Sequence, residues 1–284
     1  MKINWRHPDI FVSWRALLAE FIGTAIFVFL GSMSAVFSPK VEPLSAALGH
    51  IFALLCCIHI FGPISGAHFN TAVTFGALIT RNIGLTAGLA YMIVQLLGSI
   101  LGASLCLGIG KSVEAAVFNP PTELADAWRG FGLEIILTFV LMITIFGTAI
   151  KPQHFSKNDG MGSVGGLIAA FPIAFALGAD AMAGPLTGAS MNPARAFGPQ
   201  LVGNLWPRHS WIYYTAPFLG SALGALCYEF VLTKPKKLSH YASLLHIKTK
   251  SHDSDEEEEF NEKNGLLTSN ASSSKEGILY TSTN

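Results

Sequence analysis

Two asparagines and an arginine offer the clearest chemistry in this chain. Asn70 and Asn192 each stand immediately before a short apolar run, Thr71 to Gly76 and Pro193 to about Val202, and Asn is a favoured helix N-cap. An Asn side-chain amide can donate to the oxygen of a passing water and so break the run of hydrogen-bonded waters that would carry protons. A helix N-terminus carries about half a positive charge, so two of them facing one point oppose any cation there. Arg195 lies one turn past Asn192 in apolar surroundings, where an uncompensated guanidinium costs several kcal/mol, and that marks it as a pore-facing group. A single Asn before a helix is ordinarily only a cap. A matched pair asks what else is duplicated.

The chain repeats itself. Ser65 to Gly76 and Thr187 to Gly198 match at Gly, Ala, Asn, Ala, Phe and Gly with a constant offset of 122, and the offset persists in Tyr91 and Tyr213, Leu97-Gly98-Ser99 and Leu219-Gly220-Ser221, and Leu101-Gly102-Ala103 and Leu223-Gly224-Ala225. Glu20 and Thr24 answer Glu134 and Thr138 at an offset of 114. The run Ala183 to Gly188, rich in Gly and Pro, must bend and deliver the chain to Asn192. From there the apolar segment spans about 15 Å as a helix, half the thickness of a bilayer.

Hydrophobic residues make up 51% of the 284, with mean hydropathy +0.46, which is too apolar for an ordinary soluble chain. Apolar runs long enough to cross a membrane fall at Trp14 to Phe37, Leu44 to Gly62, Thr86 to Gly110, Gly130 to Ile150, Val164 to Met182 and Ser210 to Leu232. The expected fold is therefore an all-α membrane protein of six transmembrane helices and two re-entrant half-helices. Three spans per repeat make the repeats inverted, so the two half-helices enter from opposite faces and meet near the midplane. Non-helical backbone at that depth is tolerated only where it is buried in protein or lines a cavity, which predicts a pore. Lys and Arg number nine on the face holding the termini and five on the other, which places both termini in the cytoplasm.

The domain reading is a cytoplasmic arm at 1–13, a channel domain at 14–233 with repeats at about 14–110 and 130–233, and a disordered cytoplasmic tail at 234–284. The tail holds 15 of the 36 charged residues and lacks a core-forming pattern. Net charge is zero, which removes any electrostatic case for nucleic acid as a partner. Cys56, Cys57, Cys106 and Cys227 all fall in apolar spans and read as small buried hydrophobes. No metal site, cofactor or catalytic constellation is expected.

Paired Asn-x-Ala boxes, the second followed by Arg195, with Ser65-Gly66-Ala67-His68 before the first, resemble the aquaporin family over residues 14 to 233. The resemblance implies a homotetramer in membrane lipid with one water pore per subunit. The boxes Asn70-Thr71-Ala72 and Asn192-Pro193-Ala194 would form the pore centre, with Thr71 departing from the family's usual Pro. It implies a selectivity filter of Arg195, His50, Ala189 and a fourth residue from the fifth span, read by counting as Asp180 or, allowing one gap, Ala179 or Ala181. His50 matches the filter histidine of plant tonoplast members. Glu20 and Glu134 would accept hydrogen bonds from the re-entrant loops, with a proton-relay role as the alternative. Gln95, His68 and His59 are read as structural. Ala196 after the arginine and Tyr213-Tyr214 before Pro217 favour water over glycerol, and His50 with Ala189 favours passage of ammonia or hydrogen peroxide as well.

Rival readings are a secondary transporter and a structural or adhesive protein with a vestigial pore, the latter resting on Thr71. The loop of residues 151 to 160 holds a candidate gate in Phe155 and the modifiable Ser156, and the arm residues Trp5 and Phe11 could reach the same mouth. In the tail, Glu262 with Leu266 and Leu267 resembles an acidic dileucine signal for a sorting adaptor, consistent with a plasma, endosomal or vacuolar membrane.

Overall fold

The protein is described here by a computed structural model, which covers residues 12–37, 42–151 and 162–233. The gate residues Phe155 and Ser156, the arm, and the tail with Glu262, Leu266 and Leu267 lie outside the described residues. Among the described residues eight α-helices follow in order: α1 Trp14–Phe37, α2 Glu42–Ser65, α3 Thr71–Ile79, α4 Leu85–Gly110, α5 Leu124–Ile145, α6 Gly162–Ala183, α7 Pro193–Gly203 and α8 Ile212–Cys227. Six are long and two, α3 and α7, are half-helices of 9 and 11 residues. Among the described residues, five of the long helices are long and apolar enough to cross a membrane.

The boundaries follow the hydropathy with one shift. Helix α5 begins at Leu124 instead of Gly130, because Leu124 to Arg129 are adequate helix formers whose Asp126 and Arg129 lower the apolar score. Asp126 and Arg129 pair at 2.8 Å on the exposed surface. Helices α5 and α8 each widen by one turn at their ends, where Lys151 donates to the Phe146 carbonyl at 2.8 Å and Thr233 to that of Tyr228 at 2.9 Å, an i to i+5 pattern. Lys151 and Glu229 clip these two ends together.

Small residues set the packing. Without a hydrophobic drive between helices in lipid, close backbone approach supplies the attraction, and glycine permits it. A methyl group at Gly98 of α4 would overlap the Phe21 carbonyl oxygen of α1, and one at Gly102 that of Ala25. The second repeat repeats the device: Gly220 of α8 sits on the Ile135 carbonyl of α5 and Gly224 on that of Phe139. Helices α1 and α4 thus cross tightly, as do α5 and α8, while α3 packs against α8 and α7 against α4 across the repeat boundary. Each half-helix is held by the other repeat. Cys57 and Cys106 are buried and Cys227 half-buried as expected, whereas Cys56 is exposed because its position on α2 turns outward from the bundle.

Replacing Gly98 or Gly220 with Leu should therefore destabilise the bundle by about 2–3 kcal/mol. The check is melting in detergent. An unchanged melting temperature would show that the crossings are looser than described.

Candidate functional site

Between α2 and α3, and again between α6 and α7, the chain leaves the helix in mid-bundle and runs through residues with positive φ. In the first loop these are Gly66 (92°), Ala67 (54°) and Phe69 (47°), and in the second Gly188 (82°), Ala189 (55°) and Met191 (50°). Such residues cost on the order of 1–3 kcal/mol each unless the surroundings fix them. The fixing groups are two glutamates, both fully buried. Glu20 accepts from the backbone N–H of His68 (2.9 Å) and Phe69 (2.8 Å), the Ser65 hydroxyl (2.6 Å) and the Gln95 amide (2.8 Å). Glu134 accepts from the backbone N–H of Ser190 (2.8 Å) and Met191 (2.9 Å) and from the Thr187 hydroxyl (2.7 Å). The alternating turn aims successive N–H groups at one carboxylate, an anion-binding concavity built from backbone.

The same symmetry ties down the loop entrances. Tyr91 donates to the Ser65 carbonyl at 2.9 Å and Tyr213 to that of Thr187 at 2.7 Å. Ser65 and Thr187 hydroxyls in turn accept from Ala67 and Ala189. The offset of 122 pairs Tyr91 with Tyr213 and also Ser65 with Thr187, though not the bond that joins each tyrosine to its partner.

At the loop ends the two asparagines cap their half-helices. Asn70 Oδ1 accepts from Ala72 and Val73, and Asn192 Oδ1 from Ala194 and Arg195. Each amide nitrogen then crosses to the opposite loop: Asn70 Nδ2 donates to the Met191 carbonyl and Asn192 Nδ2 to the Phe69 carbonyl, both at 2.9 Å. An amide has two N–H donors, so one on each Asn remains to point into the cavity that both residues line. That cavity holds about 550 Å³ and runs from Ile150 at the end of the widened α5 turn up to the asparagine pair, between walls that include Leu54, Ile173 and Leu177. His59, read as structural from sequence, also lines it, with Nδ1 donating to the Leu55 carbonyl at 2.8 Å. Gln95 and His68 both engage Thr74 at the base of α3, and His68, like His59, also lines the cavity.

Beyond the asparagines stands Arg195, 3% exposed. Its Nε donates to His50 Nε2 at 2.8 Å and its Nη1 to the Ala116 carbonyl at 2.8 Å. His50 Nδ1 faces the Ala46 carbonyl at 2.7 Å and must donate there, which leaves Nε2 as the acceptor that Arg195 uses. The Phe118 ring lies 4.5 Å under the guanidinium, a cation–π contact that helps offset its burial. Phe118 and Ala116 belong to the stretch between α4 and α5, which has no periodic signal, and sequence reasoning missed both. Ala189 is buried beside Gly184 at the end of α6.

The fourth wall is α6. Ala169, Ile173 and Leu177 line the cavity. Ala179 is exposed on the outer side of the helix, which removes it from the alternatives. Asp180 is buried at 4% exposure, its Oδ2 making no hydrogen bond among the described residues, and Ala181 is half-buried against the cluster that includes Ala189 and Leu177.

With this geometry in view, the comparisons with known proteins are decisive. The major intrinsic protein family profile matches residues 5–228. The chain belongs to the major intrinsic protein family. It is 39% identical over 235 residues to aquaporin TIP1-2 of Musa acuminata, covering 79% of this chain and 88% of that one. It is 40% identical over 245 residues to a probable TIP-type alpha aquaporin of Phaseolus vulgaris, covering 83% and 91%. Aquaporin TIP1-1 of Arabidopsis thaliana is 40% identical over 239 residues, covering 79% and 90%. Among solved structures, the aquaglyceroporin from Plasmodium falciparum shares the fold at TM-score 0.65 and 23% identity, covering 77% of this chain and 96% of that one. The chain is thus an integral membrane protein of aquaporin fold.

Within this major intrinsic protein, Thr71 takes the N1 position that Pro193 takes in the other box. The backbone and cap bonds of the first box form without the ring. The Thr71 hydroxyl is buried and makes no hydrogen bond among the described residues. Thr71→Val, which keeps the branched shape and removes that group, should raise stability by about 1 kcal/mol. A higher melting temperature in detergent is the expected reading, and a lower one would mean that the hydroxyl has a partner after all.

Proposed function

We propose that this protein is a passive, bidirectional water channel that also admits small neutral solutes. The observation carrying the reading is the mutual clasp of Asn70 and Asn192, each capping its own half-helix, bonding the opposite loop and keeping one N–H for the pore. A water arriving there accepts from both amides, so its own protons point away and no continuous donor chain forms across the pair. Two half-helix N-termini converge at the same point and repel hydronium. Asn70, Thr71, Ala72, Asn192, Pro193 and Ala194 make this centre, and Glu20 and Glu134 brace it.

The outer constriction in this proposal comprises Arg195, His50 and Ala189 with Asp180 and Ala181 on the α6 wall, and Phe118 supports Arg195 from behind. The guanidinium repels cations and offers N–H to a solute. His50, fixed as a neutral acceptor by Ala46, narrows the opening without adding charge. Each loop is tied to a buried carboxylate, which favours a static pore over the alternating motion of a transporter. The first box keeps its bonds with Thr71, which weakens the vestigial-pore reading. A homotetramer, cytoplasmic termini and a vacuolar or endosomal membrane complete the proposal, supported by the TIP-type names of the relatives and the charge bias of the loops.

The test is stopped-flow osmotic shrinkage of proteoliposomes holding the full chain, with proton leak recorded in the same vesicles. Water flux well above protein-free vesicles with proton leak at their baseline is expected. Water flux at the protein-free level would overturn the channel reading.

A further inference from the structure

We propose that the corner where α1 and α4 begin is a docking surface for an anionic phospholipid, whose headgroup phosphate is taken by Arg15 and Arg81. The inference concerns the lipid-facing wall of the protein and stands apart from the channel reading above.

One packed cluster builds this corner. Ala16 of α1 is buried together with Ala77 of α3 and with Ile83, just before α4, and Leu78 packs against them. Arg15 directly precedes Ala16, and Arg81 lies between Leu78 and Ile83 in the turn that joins α3 to α4. Both arginines are exposed, so two guanidiniums leave the rim of one cluster. The turn is open on one side, since no atom stands within 4 Å of where a side chain on Gly84 would begin. Depth follows from length. Helix α1, with 24 residues, runs about 36 Å, a little more than a hydrocarbon layer of about 30 Å, which puts its first residues at the edge of the bilayer. Trp14 is 67% exposed there, at the level an indole ring prefers. Exposed Leu18 and Ile22 follow it on α1, and Leu85, Leu89 and Ile93 do the same on α4, so the surface running down from both arginines is apolar and suited to acyl chains.

Charge supplies the chemistry. Among the described residues neither arginine makes a side-chain hydrogen bond or ion pair, and the Arg15 guanidinium lies 5.5 Å over the Trp14 ring. Arg129, by contrast, pairs with Asp126, and Lys151 with Glu229. Glu229 is the one surface carboxylate among the described residues at the end of the bundle that holds the corner, and Lys151 already occupies it. A second copy of the chain therefore brings no free described acid from this end to meet the two guanidiniums. At the edge of a bilayer the anion at hand is a lipid phosphate, which a guanidinium binds through paired N–H donors. A headgroup of net negative charge is favoured over a zwitterionic one, because the corner offers two cations and no described carboxylate to attract an ammonium group.

The experiment is native mass spectrometry of the full-length protein in detergent, with phosphatidylserine or phosphatidylcholine of identical acyl chains added. The parent should retain phosphatidylserine in preference to phosphatidylcholine. The double variant Arg15→Gln, Arg81→Gln should lose about thirtyfold of that preference, and each single variant about fivefold, so the single variants carry the test if the double variant fails to fold. Lys111→Gln, at the opposite end of α4, should leave the preference at the parent value. Glycerophosphoserine, the same headgroup without chains, should not displace the lipid at equal concentration. Equal retention of the two lipids by the parent, a parent-like preference in folded variants, or displacement by glycerophosphoserine would overturn the proposal. A double variant that changes oligomeric state on size exclusion would assign the corner to a second copy and overturn it as well. Water flux decides none of these outcomes, so the channel reading stands or falls separately.

Discussion

A backbone that leaves its helix halfway through a bilayer strands N–H groups where no bulk water can reach them, and each unmet group costs about 1–3 kcal/mol. Everything at the centre of this protein answers that constraint. Glu20 and Glu134 take the stranded amides of the two loops, and in doing so fix residues in the left-handed region that would otherwise relax. Because each loop is pinned from behind, its last residue can present a carbonyl forward, and the opposite asparagine bonds to that carbonyl. The pore centre is thus a by-product of satisfying backbone, assembled from groups that each have one geometry available.

Duplication makes the arrangement economical, and the departures from symmetry show where function enters. Glu20 has Gln95 as an added partner, while the corresponding position in the second repeat is Pro217, which has no donor to give. More tellingly, Arg195 stands where the first repeat has Val73, so only one side of the asparagine pair bears a fixed charge. Val73 lines the apolar cavity, whereas Arg195 is held beyond the asparagine pair by His50, Ala116 and Phe118. An apolar vestibule on one side and a polar constriction on the other follow from a single difference between the repeats.

Much of this was legible in the residues alone. The offset of 122 pairs the boxes and the tyrosines and one of 114 pairs the glutamates, because each pair does the same job in each half and a symmetric job leaves a symmetric trace. The spans emerged from hydropathy because lipid tests composition directly. Phe118 and Ala116 left no such trace: they act through a ring face and a backbone carbonyl from an irregular stretch, and Ala116 meets a residue 79 positions away. The α6 wall was ambiguous for a different reason. Counting back from Asn192 through a bend cannot determine helical phase to better than one residue, and one residue turns Asp180 into Ala179 or Ala181. Cys56 shows the same limit, since an apolar span does not say which of its faces looks outward.

The claim that the glutamates hold the pore is tested most directly by hydrogen exchange of the loop amides in membrane-embedded protein. His68 and Phe69 line the cavity, and Ser190 and Met191 run directly into Asn192, which lines it too, yet the amide of each of the four is bonded to a carboxylate. The account predicts slow exchange at all four, with Ser190 and Met191 alone losing protection when Glu134 is replaced by alanine. Fast exchange of these amides in the unmodified protein would contradict it, because the loops would then be mobile and the asparagine clasp only one arrangement among many.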